Sequence, residues 1–250
     1  MTQSLTLSEI SFYPLKSARG LSPEEAHLTP KGFAFDRKWM LVNPNGEMHS
    51  QRNLPQMAQI ETELTEIECI IRLPQRPAIH LPLTGSDGTP TNVELWGQQI
   101  QATQIAAEYD ELFSDFLGTP CQLVFLPGSS ERKLDETYAQ GSTIGFSDGF
   151  PFLVANTASL AQLNEKLETP VPMNRFRANL IIDGAAPFAE DHWKTIKVGP
   201  AIFSLVKPCT RCTIVTTNQE TGERNSETLK ALNEFRMLKS EKVNGVIFGE

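Results

Sequence analysis

Apolar and polar positions alternate along most of the first hundred residues, the period-2 signature of strands with one buried face. LTLSEISFYPLK, residues 5–16, alternates in this way. RKWMLVNPNGEMHSQR, residues 37–52, predicts two short strands around the turn residues NPNG. ETELTEIECIIRLP and AIHLPLT continue the pattern, with TGSDGTP, residues 84–90, as a loop. NVELWGQQIQATQIA, residues 92–106, predicts a hairpin turning at Gly97. This half reads as a small all-β unit.

The period then changes. In AEYDELFSDFLGTP, Leu112, Phe113, Phe116 and Leu117 share one helical face and Gly118 ends the helix. CQLVFLP reads as a strand, GSSERKLDETYAQGST as a loop and FPFLVAN as a strand. TASLAQLNEKLET predicts a helix with Leu160, Leu163 and Leu167 stacked and Thr157 as its N-cap. ANLIIDG predicts a buried strand, and WKTIKVGPAIFSLVKPCTRCTIVTT two or three more. SETLKALNEFR predicts a short helix with Leu229, Leu232 and Phe235 on one side, and KVNGVIFGE a last strand. The expected class is mainly β with a few helices (α+β), in two domains, residues 1–115 and 116–250.

Bulk composition narrows the function classes. The 250 residues, 40% hydrophobic and 21% charged, suffice for a globular core. A net charge of −8 argues against a nucleic-acid polymer as partner. MTQSLTLSEISFYPLK has no basic start, long apolar core or cleavage site, and no apolar run reaches the roughly 20 residues a membrane span needs. The four cysteines are too few and too scattered for a disulfide framework. A cytoplasmic protein with free thiols and no membrane contact is expected.

Two of those cysteines stand three apart, Cys209 and Cys212 in KPCTRC. A structural zinc site needs four ligands; there is no second such pair, and His27, His49, His80 and His192 are scattered. A redox dithiol wants a helix opening after it, and the following TIVTT is β-branched and strand-like. Buried packing stays open. Lys207 and Arg211 close by favour thiolate, the metal-binding form. In an extended segment, residues three apart face opposite ways, which favours one functional and one structural cysteine. Lys16-Ser17, Arg37, Arg175, Arg177 and Thr210-Arg211 recur at strand ends, and such side chains hold phosphate. Taken singly, each basic residue reads equally as a surface charge or ion pair. Together they suggest an anionic, phosphate-bearing ligand close to one thiolate.

In the order YPLKS, FDRKW, SDGFPFLVAN, ASLAQLN, FRANLIIDG, AEDHWKTIKVG, KPCTRCTIVTTNQETG, LKALNEFR and FGE, the chain resembles the MOSC proteins that carry an N-terminal MOSC β-barrel domain, including the bacterial relatives of the mitochondrial amidoxime-reducing component. The resemblance covers almost the whole chain, with KPCTRC and SDGFPFL its most specific blocks. It implies an N-terminal β-barrel-like domain followed by a MOSC β-barrel domain. It also implies a molybdenum cofactor (Mo-molybdopterin) with Cys212 as the catalytic metal ligand and Cys209 structural. The family's cofactor contacts fall on Lys16, Ser17, Arg37, Arg177, Asn179, Thr210 and Arg211; Arg175 lies outside the pattern. The implied activity is reduction of N-hydroxylated compounds (hydroxylamines, amidoximes, N-hydroxylated base analogues) to amines. A carrier of the cofactor or of sulfur, without turnover, is the other implied role. Family members continue past FGE, so the MOSC domain is expected to be truncated at its C-terminus. No Cys-rich iron–sulfur motif is present. The electron donor is therefore expected to be a partner, a [2Fe–2S] ferredoxin-like domain or a flavoprotein reductase.

Overall fold

The structure is a computed structural model and describes residues 5–84, 88–105, 107–240 and 242–250. Residues 85–87 of the expected TGSDGTP loop and Ala106 at the end of the expected hairpin lie outside the described residues. The chain is mostly β, with three α-helices among the described residues. Thr6–Ile10 forms β1 and Trp39–Val42 forms β2. The strands β3 (Glu61–Leu64), β4 (Glu68–Arg72) and β5 (Ile79–Pro82) make an antiparallel sheet of three. The strands β6 (Thr89–Leu95) and β7 (Gln98–Gln104) form the expected hairpin, turning at Trp96-Gly97. Helix α1 (Ala107–Leu117) follows, then β8 (Gln122–Phe125), which pairs with both β2 and β7.

Two strands of this four-stranded sheet, β2 and β8, are buried on both faces. Trp39, Leu41, Leu123 and Phe125 point into one core with Phe113 and Leu117 of α1. Met40, Val42 and Val124, one residue out of phase, pack with Val93, Ile100 and Phe146 in another. Period 2 carries every side chain of β2 into one core or the other.

In the second half, β9 (Val154–Asn156) and β10 (Leu180–Asp183) run parallel, linked by a crossover that contains α2 (Thr157–Asn164). The strands β11 (Thr195–Val198) and β12 (Ala201–Ser204) form a hairpin. Helix α3 (Glu227–Phe235) leads into the last pair, β13 (Met237–Lys239) and β14 (Asn244–Val246). The N-cap of α2 is Asn156, whose side chain accepts from Ala158 N at 3.1 Å; the expected cap, Thr157, instead donates its hydroxyl to Asp183. Strand pairing crosses the middle of the chain in both directions: β1 joins the edge of the β10–β9 sheet, and β8 returns to β2 and β7.

The run TIVTT departs from its strand-like pattern. Residues Thr213–Thr216 form a 3₁₀ turn with Ile214, Val215 and Thr216 buried. Val215 enters the core of Phe176, Leu232 and Phe248, so burial overrides the β preference of branched side chains.

Phe113 ties α1 to the first core and is fully buried. Phe113→Ala is expected to destabilise the protein by about 3–5 kcal/mol, read as a lower urea midpoint at unchanged slope.

Candidate functional site

A cavity of about 690 Å³ opens at the junction of the two halves. All eight residues singled out above line it: Lys16, Ser17 and Arg37 from the first half, and Arg177, Asn179, Thr210, Arg211 and Cys212 from the second. Its size lies in the range of small-molecule sites.

Local sequence explains how each side chain arrives. Leu15 and Ala18 are fully buried in the first core, which leaves Lys16 and Ser17 between them to face the cavity. Lys16 N donates to Trp39 O at 2.8 Å, fixing the turn on β2. Ser17, Arg37 and Arg177 all adopt left-handed backbone, with φ of 66°, 47° and 55°. Non-glycine residues adopt this region at a cost, and such strain gathers at functional sites.

The ring of Tyr13 organises two of the cations. Arg37 lies 4.5 Å and Arg177 4.0 Å from its centroid, both in cation–π contact. Burial pushes the Tyr13 hydroxyl up to about 12, so it stays neutral and donates to Ala178 O at 3.1 Å. Arg37 pairs with Asp36, whose other oxygen accepts from Tyr13 N at 2.7 Å. Arg177 Nη1 donates to Ala18 O at 2.6 Å, while its buried Nη2 has no partner among the described residues. Burial pushes the Arg177 guanidinium down to about 10. It remains charged at neutral pH and has donor capacity to spare.

Asn179 lines the cavity with its side chain already engaged. Its amide donates to Ser11 O at 3.0 Å, and its oxygen accepts from Leu153 N at 3.2 Å and Arg37 Nη1 at 3.3 Å. It is 1% exposed and orients Arg37 while tying β1 to the second half. Arg175, outside the pattern, donates to Thr216 O at 3.3 Å and does not line the cavity.

The cysteine pair corrects an expectation. Cys209 does not face away from Cys212: both line the cavity and both are half-buried. Period 2 does not separate the two thiols here, although Thr210 bridges to Ile247 and Cys212 keeps extended backbone before the 3₁₀ turn. The loop is held by the final residues of the chain. Cys209 N donates to Gly249 O at 2.8 Å, Phe248 N to Cys209 O at 3.1 Å, and Arg211 N to Val246 O at 2.7 Å. Arg211 turns back on its own loop, donating from Nη1 to Cys209 Sγ at 2.9 Å and from Nη2 to Phe176 O at 2.8 Å. Among the described residues, no group of three or more His, Cys, Asp or Glu is placed to hold a metal ion. A metal at Cys212 would have to bring ligands of its own.

Sequence reasoning missed Arg52, Asp148 and the Gln51–Gln219 pair. Arg52 and Asp148 line the cavity. Asp148 sits in the quoted SDGFPFL block, and Arg52 closes the quoted HSQR run, but neither carried a signal of its own. Gln51 and Gln219 donate to each other's side-chain oxygens at 3.0 and 2.9 Å, fully buried, and Gln51 also donates to Ser17 O at 2.8 Å. Lys16, Arg37, Arg52, Arg177, Lys207 and Arg211 give the lining six cations against two carboxylates, Asp148 and Glu250, in a chain of net charge −8. The arrangement suits an anion, with a soft thiol donor beside it.

The family model for the MOSC N-terminal beta barrel domain matches residues 4–120, and that for the MOSC domain matches residues 141–249. Mitochondrial amidoxime-reducing component 1 of Mus musculus is 30% identical over 243 residues, covering 93% of this chain and 72% of its own. Mitochondrial amidoxime reducing component 2 of Homo sapiens is 29% identical, covering 87% and 68%. A molybdenum cofactor sulfurase of Oryza sativa subsp. japonica is 29% identical over 96% of this chain, which spans about a third (32%) of the length of that relative.

Burial pushes the thiols of Cys69 and Cys121 up to about 12, whereas Cys209 and Cys212 line the cavity. In native, cofactor-free protein, iodoacetamide at pH 8 should alkylate Cys209 and Cys212 and spare Cys69 and Cys121 until denaturant is added. Peptide mass mapping reads the sites; native labelling of Cys69 would contradict the packing described.

Proposed function

The chain belongs to the MOSC family, and from that premise we propose that it is a molybdenum-cofactor-dependent oxidoreductase that reduces N-hydroxylated compounds to amines. The observation that carries this is the buried guanidinium of Arg177. One of its donors has no partner among the described residues, and the residue lines a cavity that also presents two thiols. A ligand joining a phosphate to a metal would use both features.

In this reading Cys212 supplies the protein's sulfur ligand to molybdenum. Lys16, Ser17, Arg37, Arg177 and Thr210 hold the phosphate-bearing end, each as a charge or a hydrogen-bond donor. Asn179 orients Arg37, and Arg211 orients the cysteine loop through Cys209 Sγ and Phe176 O. The bound cofactor supplies the redox chemistry of N–O reduction, which consumes two electrons and two protons and releases water. Asp148 stays ionised and is no proton donor: burial alone would raise its carboxyl, but Lys16, with Arg52 and Arg37, outweighs this and holds it well below the usual carboxylate range. Electrons come from a separate donor of the [2Fe–2S] ferredoxin or flavoprotein type. Among the described residues no helix is long and apolar enough to cross a membrane; a cytoplasmic location is part of the same proposal.

A second reading has its own observation. Cys209 faces the same cavity, hydrogen-bonded to Arg211, and the chain matches part of the sulfurases. A carrier of the cofactor or of sulfur would use that second thiol and turn over no N-hydroxylated substrate. Benzamidoxime reduction with reduced methyl viologen as electron source separates the two: sustained turnover excludes the pure carrier.

The metal assignment is tested by molybdenum and pterin content. Cys212→Ser should lose at least about tenfold in molybdenum, while Cys209→Ser retains most of it, since one thiolate carries the protein's bond to the metal. Equal molybdenum in the wild type and Cys212→Ser would overturn the assignment, and loss confined to Cys209→Ser would move it to Cys209.

A further inference from the structure

Asp148 holds a position that the chemistry above leaves unexplained. One of its oxygens pairs with Lys16 Nζ, and the other lies 3.9 Å from Arg52 Nη2. A single carboxylate thus bridges two cations with two oxygens, as a phosphate group does. The cations have little freedom. The Lys16 side chain is 6% exposed and also donates to Phe146 O at 2.7 Å. Arg52 is stacked 4.6 Å from the ring centroid of Trp96.

The carboxylate keeps an open side. The Asp148 side chain is 54% exposed, and the neighbouring Gly149 has open space where a Cβ would stand. Its main chain is pinned, because Arg132 Nη2 donates to Ser147 O and, at 2.5 Å, to Asp148 O. Only the side chain can swing, out toward the cavity.

We propose that Asp148 is an internal counter-ion that occupies the anion position of the cavity in the ligand-free protein and is exchanged for the ligand's phosphate. This rests on the phosphate-bearing ligand proposed above. Without Asp148 the ligand-free protein would bury Lys16 with no opposite charge, which is strongly unfavourable. With it, an incoming anion must displace a carboxylate already paired to Lys16. A carboxylate ligand gains nothing by that exchange; a phosphate dianion gains charge and a third oxygen. Asp148 is therefore a specificity-determining residue that selects phosphate groups over carboxylates and stops the site from collecting ordinary monoanions.

The test uses inorganic phosphate and acetate as probes on cofactor-free wild type and Asp148→Asn, by calorimetric titration and thermal melting. Asp148→Asn should melt lower without phosphate and bind phosphate at least about tenfold more tightly, since a like charge at the site costs binding. It should also bind acetate, which the wild type rejects. Phosphate affinity that is unchanged or weaker in folded Asp148→Asn overturns the proposal. Should Asp148→Asn fail to fold, the wild type labelled with ¹³C-aspartate decides. The Asp148 carboxyl resonance, assigned by its absence from Asp148→Glu, must shift as phosphate saturates, and a fixed resonance overturns the exchange. Phosphate exchange in a protein that never acquires molybdenum or pterin sinks the oxidoreductase reading and leaves this one standing. Stoichiometric cofactor with no effect of Asp148→Asn on phosphate does the reverse.

Discussion

Two buried cations, Lys16 and Arg177, with the half-buried Arg37 beside them in one cavity wall, set the terms for the rest of the structure. All three are largely withdrawn from water, and each needs compensation that a folded chain must build in. Arg37 has Asp36 and the Tyr13 ring; Lys16 has Asp148; Arg177 has the Tyr13 ring, one carbonyl and a distant glutamine oxygen. The compensation is incomplete at Arg177, whose buried Nη2 is unpartnered among the described residues. A site that leaves a donor bare in a low-dielectric wall is stabilised by whatever anion reaches it. A strongly acidic chain can offer an anion site in this way, because charges beyond roughly 8–10 Å are screened at physiological ionic strength and the local cations decide.

The same cations need two halves of the chain to meet. Lys16, Ser17, Arg37 and Arg52 come from the first half, and the thiols with Arg177 and Arg211 from the second. The junction is closed by directional groups rather than by apolar contact alone. Gln51 and Gln219 exchange hydrogen bonds, Arg224 donates to Gln51 O and, at 2.8 Å, to Arg52 O, and Asn179 reaches across to Ser11 O. Such buried, reciprocal pairs tolerate little displacement, because a shift leaves two polar groups unsatisfied at once. They fix the register of one half against the other, and with it the spacing between the cations and the sulfur atoms.

Much of this was legible in the sequence, and the failures have physical causes. Alternation gave the β6–β7 hairpin and β2 because period 2 is a local property. The helical face of α1 was legible for the same reason, and Phe113 and Leu117 are its buried members. TIVTT misled because branched side chains favour strands on average, whereas here Val215 is claimed by the core of Phe176 and Phe248. The turn begins only after Cys212, so it does not decide how the two thiols face; both cysteines line the cavity. Arg52 and Asp148 stayed hidden because their roles arise from pairing across 96 residues of chain, which no spacing rule records. Asn179 was found by motif; its bonds to Ser11, Leu153 and Arg37 arise from the fold and carry no sequence signal.

The cysteine loop shows why position matters more than type in this site. Its main chain is paired with Val246, Phe248 and Gly249, and those residues are held in turn by Val154, whose N–H and C=O both bond to Glu250. Beneath it, Phe176 and Phe248 stack with centroids 4.0 Å apart, and Arg211 spans from Phe176 O to Cys209 Sγ. Every polar main-chain contact of the loop therefore leads into rigid, buried structure. The thiol of Cys209 is already engaged by a guanidinium that the core holds in place. Cys212, one residue beyond that guanidinium and at the start of the 3₁₀ turn, has no such contact among the described residues. The two sulfur atoms share one cavity, and what separates them is that Arg211 is committed to the first.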